Sequence, residues 1–138
     1  MGVSYGFIGL AAVASFLFGA VWYGAFSRQW LGALGKSDAE LKASAGFVTP
    51  MVVTFAAELV MAWVLAGVMT HLLKGGVAVS VRNGVLTAGL LWIGFVATTL
   101  ASNHAFQGNK RLLTIIDAGH WLGVMLIQGA IIGGLALR

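Results

Sequence analysis

The chain is 138 residues long, 59% hydrophobic and only 9% charged, whereas a soluble domain of this size carries about a quarter of its residues as charges. So little charge cannot cover a water-facing surface, which makes lipid the expected solvent. The formal net charge of +4 comes from basic residues that punctuate the ends of apolar runs, without the basic–aromatic cluster of a nucleic-acid binder. The absence of cysteine excludes disulfides, thiol chemistry and cysteine-ligated metals.

Four apolar runs predict membrane helices over about residues 5–26, 48–73, 81–106 and 112–137. Each exceeds the ~20 residues needed to cross a hydrocarbon core of ~30 Å. The ~10-residue alternating strands of a membrane barrel are not evident. The expected fold is therefore all-α: a single transmembrane domain built as an antiparallel four-helix bundle. The N-terminus lacks the basic n-region of a signal peptide, and the first run is too long for its apolar core, so the first run is read as a mature helix.

The first helix closes on Trp22-Tyr23-Gly24, followed by Arg28 and Trp30. Aromatics beside a basic residue predict that Trp22, Tyr23 and Trp30 anchor at the membrane interface. The polar segment 27–47 contains Ser37-Asp38-Ala39-Glu40, with the spacing of a capping box. It predicts a short surface helix over about Asp38 to Ala45, a solvated loop being the alternative. Pro50 fits the first turn of the second helix, where its missing amide has no partner to lose. Lys74-Gly75-Gly76 ends that helix, and Arg82 and Asn83 open the third. The tight polar turn from Gln107 to Arg111 makes the third and fourth helices antiparallel neighbours. Loop charges divide five (Arg28, Lys36, Lys42, Lys110, Arg111) against three (Lys74, Arg82, Arg138), which favours both termini outside. Gly119-x-x-x-Gly123 and Gly129-x-x-x-Gly133 allow close helix approach, within the bundle or between copies.

Ionisable residues inside such helices are costly and mark either functional sites or buried polar locks. Three stand out: Glu58 in the second helix, and Asp117 and His120 in the fourth. Counting from the helix starts, Asp117 lies about 9 Å deep, and His120 and Glu58 about 13 Å deep, at 1.5 Å per residue. Asn103 and His104 end the third helix on the same side, with Thr98, Thr99 and Ser102 a turn or two deeper. Thr114, Asp117, His120 and Gln128 recur on one face of the fourth helix, and Thr54 and Glu58 on one face of the second. This predicts a single polar layer. Read functionally, Glu58, Asp117 and His120 are proton-titrating groups, supported by Asn103, His104, Thr54, Thr99, Ser102, Thr114 and Gln128. Read structurally, the same residues are hydrogen-bonded pairs that fix helix register. Two histidines and a carboxylate give only thin support for a metal, so no metal and no cofactor is expected.

Val21-Trp22-Tyr23-Gly24-Ala25-Phe26, Trp30, Pro50, Asn103-His104-Ala105-Phe106-x-Gly108 and Gly119 together resemble the bacterial family called domain of unknown function 1761. The resemblance spans nearly the whole chain and departs at Ala25, where such proteins tend to carry proline. It implies a four-helix protein of the bacterial cytoplasmic (inner) membrane, and it places Asn103 and His104 among the candidate site residues. It implies no activity.

Two functions compete. One is a small ion- or proton-coupled transport or permeation module, homo-oligomeric because four helices enclose little space alone. The other is an accessory or structural membrane protein whose glycine-rich helices bind lipid or a larger complex. No nucleophile motif or metal signature points to an enzyme.

Overall fold

The computed structural model describes residues 3–136, which are 86% helical with no strand among them. The helices are α1 (Tyr5–Ala25), α2 (Ser27–Leu34), α3 (Asp38–Ala45), α4 (Val48–Lys74), α5 (Val81–Leu91), α6 (Thr98–Phe106) and α7 (Arg111–Ile131). A π-helical stretch, Trp92–Ala97, joins α5 to α6 without a break, and a second, Ile132–Ala136, continues α7. Four helices are long and apolar enough to cross a membrane: Tyr5–Ala25, Val48–Lys74, Val81–Phe106 and Arg111–Leu135. The expected end of the fourth helix at residue 137, and the charge of Arg138, lie outside the described residues.

The polar segment 27–47 is not a loop with one helix but two consecutive helices. Phe26 leaves the helical region (φ −102°, ψ 13°) after its amide bonds the Trp22 carbonyl, and α2 restarts at Ser27. Gly35, with φ 72°, terminates α2 in the left-handed conformation that glycine adopts without penalty. α3 begins with the predicted capping box: the Glu40 amide donates to Ser37 Oγ at 3.2 Å, and the Ser37 amide donates to Glu40 Oε2 at 2.7 Å. The Ser37 amide and then its hydroxyl stabilise the carboxylate, holding Glu40 below its ordinary pKa of 4.5. Gly108, at φ 68°, makes the short turn into α7.

α7 is the central helix. It packs mainly on α5 and α1, and α4 packs mainly on α1. The fourth span is 39% buried against 11% for the third, so the third span is the most peripheral. Both glycine pairs serve contacts within the chain. Gly129 and Gly133 meet the backbone of Gly84 and Ser80, where a Cβ on Gly129 would come 2.5 Å from the Gly84 carbonyl oxygen. Gly119 and Gly123 accept the rings of Trp22 and Phe18 from α1. The remaining core is small and apolar, including Ile8, Ala62, Leu65, Ala66, Met69, Met125 and Ile132. The outside of the spans is also apolar, with Leu17, Val21, Val60, Trp63, Leu90 and Phe95 exposed. That is unfavourable in water and ordinary against lipid tails.

Candidate functional site

The polar residues form two separate groups rather than one layer. The deeper group joins three spans. Ser15 of α1, Glu58 of α4 and Gln128 of α7 are each 0% exposed. Ser15 Oγ donates to Glu58 Oε2 at 2.7 Å, and Gln128 Nε2 donates to Ser15 Oγ at 3.0 Å and to the Glu58 carbonyl at 2.9 Å. Because that carbonyl can only accept, the Gln128 amide must turn its nitrogen towards it. This leaves Gln128 Oε1 and Glu58 Oε1 buried without a partner. Ser15 has a second acceptor in reach, the Ala12 carbonyl at 3.1 Å.

The second group surrounds Asp117, near the α6–α7 turn. Tyr23 donates its hydroxyl to Asp117 Oδ1 at 2.7 Å, and Trp30 donates its indole N–H to the same oxygen at 3.0 Å. Asp117 Oδ2 lies 3.9 Å from His104 Nε2, with side-chain exposures of 18% and 12%. The other imidazole nitrogen, Nδ1, is 3.0 Å from Thr114 Oγ1. His104 thus stands between a hydroxyl and a carboxylate. Trp22 donates to the Ile116 carbonyl at 3.1 Å. The three aromatics predicted as interface anchors therefore direct their polar edges inward, onto α7. α2 is what brings Trp30 there, and Lys110 Nζ, donating to the Gly32 carbonyl at 3.2 Å, fastens α2 to the turn before α7.

His120 lies between the two groups and is 3% exposed. Its ring centroid is 4.8 Å from those of Tyr23 and Trp121, and it stacks on Phe18 at 6.4 Å. Gly19 makes room for it, since a Cβ there would lie 2.7 Å from His120 Nε2. Among the described residues, His120 Nδ1 is the third buried side-chain atom without a partner. Among the described residues no three histidines or carboxylates gather as metal ligands would. Asn103, Thr99 and Ser102 are exposed on the third span, and the Thr99 hydroxyl bonds its own helix at Phe95. Thr54 is half-buried, one turn before Glu58. Ser15 escaped the sequence reading because one serine in an apolar run carries no mark.

A surface hollow of about 170 Å³ is an apolar groove lined by Val3, Tyr5, Trp63, Val64, Ala66 and Gly67. Its lining is apolar, unlike that of either polar group.

The two segments that carried the family resemblance, Trp22-Tyr23 and the one containing His104, converge on Asp117 and its neighbours. The family model of proteins of unknown function called DUF1761 matches residues 7–133. The chain belongs to the DUF1761 family. Membership of DUF1761 covers all four candidate spans but brings no assigned activity. No curated protein and no solved structure matches the chain.

Proposed function

We propose that this protein is a small proton-coupled transport or permeation module of the bacterial inner membrane, not an enzyme, with Glu58 as its central titrating group. Asp117 and His104 form its outer polar station, and His120 stands between. The observation that carries this reading is the position of Ser15. Its single hydroxyl proton has two acceptors, Glu58 Oε2 and the Ala12 carbonyl. With Glu58 charged, Ser15 donates to the carboxylate. With a proton on Oε2, Glu58 donates to Ser15 and Ser15 turns to Ala12. Ser15 keeps its hydrogen bond to Glu58 in both states, so the site tolerates gain and loss of a proton without losing that contact. A carboxyl far from water stays neutral unless a counter-charge is supplied, which makes proton exchange the natural event at such a position.

The competing reading is a structural lock, and the enclosure of Glu58, tied to both α1 and α7, favours it. A lock, however, gains nothing from unpaired oxygens, and two remain in this group. Purified protein in proteoliposomes under a pH gradient separates the two. The proposal expects proton-coupled flux that Glu58→Gln abolishes and Asp117→Asn slows, with both variants still folded. Unchanged flux in both variants would remove it; a loss of folded protein without any flux to lose supports the lock.

A further inference from the structure

Glu58 Oε1 and Gln128 Oε1 are two oxygens with no partner inside one hydrogen-bonded knot, both on side chains that are 0% exposed. An enclosed acceptor without a donor signals an occupant that protein atoms do not supply. Placing the exchangeable proton on Oε2 leaves both oxygens as they were. Ser15 Oγ, after donating one hydrogen bond and accepting another from Gln128, still has a free lone pair. Three oxygen donors of different type, carboxylate, amide carbonyl and hydroxyl, are thus collected from α4, α7 and α1. No nitrogen or sulfur ligand joins them, and neither ion pair among the described residues supplies Glu58 with a cation.

An all-oxygen donor set suits a hard cation and discriminates against transition metals. One carboxylate balances one positive charge, so a monovalent ion leaves the site neutral, as a membrane interior requires. We propose that Ser15, Glu58 and Gln128 form a binding site for a dehydrated monovalent alkali cation, sodium in preference to potassium, which exchanges there with the proton of Glu58. The preference follows from size: three side chains that are 0% exposed and already joined by hydrogen bonds of 2.7–3.0 Å leave room for the smaller ion. Asp117 lies eleven residues from Gln128 along α7, Arg82 of the neighbouring α5 is exposed, and the nearer titratable groups on α1 and α7 are Tyr23 and His120. Each is eight residues along its helix from the knot, or about 12 Å at 1.5 Å per residue, so Glu58 alone balances the ion. The inference rests on the proposed reading of Glu58 as the working carboxyl, and adds the ion with which it works.

The test is labelling of the full-length protein with a hydrophobic carbodiimide. The protonated carboxyl adds across one N=C bond of the reagent, and the adduct rearranges to a stable N-acylurea without a leaving group. Only the protonated, ion-free form reacts, and peptide mass analysis locates the label. At equal ionic strength, sodium at ten times its dissociation constant should slow labelling of Glu58 about tenfold by mass action, whereas potassium leaves it unchanged. Ser15→Ala and Gln128→Ala should still label at Glu58 but lose protection by sodium, and Glu58→Gln should show no label at that position. Labelling of Glu58 that is equal in sodium and potassium overturns the cation site and leaves the proton-carrying carboxyl standing. Absence of any label at Glu58 in either salt removes both. The sodium–potassium comparison uses the unaltered chain, so it decides the matter even if a variant fails to fold.

Discussion

The two polar groups differ in who supplies their partners. Around Asp117, the donors are long aromatic side chains that reach in from α1 and α2, and the group keeps some exposure, 18% at Asp117 and 12% at His104. Around Glu58, three short or medium side chains from three spans close on one another, and nothing is exposed. The outer group can borrow water or a lipid headgroup when a partner is lost. The inner one cannot, because no solvent reaches it to replace a missing bond. A carboxylate in a membrane helix is therefore not one kind of object; its surroundings decide whether it is replaceable.

That contrast sets the order of expected effects. Gln128→Leu removes two hydrogen bonds from the sealed group, and should lower unfolding free energy by about 1–3 kcal/mol, at ~0.6–1.7 kcal/mol per bond in a membrane protein. Equilibrium unfolding in mixed micelles measures it, and a loss within error would mean that the inner group is not load-carrying. Asp117→Leu strands the Tyr23 hydroxyl and the Trp30 indole, but at a half-open site, and should cost about 1 kcal/mol. Asp117→Asn should cost less, since an amide oxygen still accepts from both donors. Combining Gln128→Leu with Asp117→Leu should be additive within about 0.5 kcal/mol, as for distant sites. A larger coupling would show that the two groups act as one after all. The smallest effect lies outside both. Glu40, held below its ordinary pKa of 4.5 by the Ser37 amide and hydroxyl, stabilises the start of α3 fully above pH 4.5. That contribution is lost as the pH falls below 4.5 through the lowered value. Protection of the Ser37–Glu40 amides, measured relative to their intrinsic exchange rates, should fall in that window while the spans stay protected.

Hydropathy made the four spans legible, because lipid imposes length and composition on any helix that crosses it. The α3 start was legible from Ser37 and Glu40, whose chemistry is local. α2 was not, because Ser27, Arg28 and Gln29 read as polar loop, and only the packing of Ala33 and the reach of Trp30 reveal a helix. The single polar layer failed for a geometric reason. Depths counted from helix starts assume that those starts are level. Glu58 meets Gln128 rather than Asp117, which means that α4 begins about 10 Å further along α7 than assumed, at 1.5 Å per residue. The two helices of segment 27–47 lie between α1 and α4 in the chain, where the sequence predicts only the one over Asp38–Ala45. Glu58, Asp117 and His120 were visible as costly residues. That Glu58 pairs with Ser15, and Asp117 with Tyr23 and Trp30, depends on helix rotation, which periodicity within one helix does not define.

Two indoles give the bundle a mechanical asymmetry. Trp22, from the first span, donates to the Ile116 carbonyl, and Trp92, at the start of the π-helical stretch in the third, donates to the Ala118 carbonyl at 2.9 Å. Both acceptors are backbone atoms of α7, two residues apart and gripped by different neighbours. α7 cannot turn about its own axis without releasing both, so the first, third and fourth spans move as one keyed body. α4 has no such grip: it packs mainly on α1 and meets α7 through the polar knot and the apolar core. In the proposed function, the carboxyl that exchanges its proton lies where α4 meets that body.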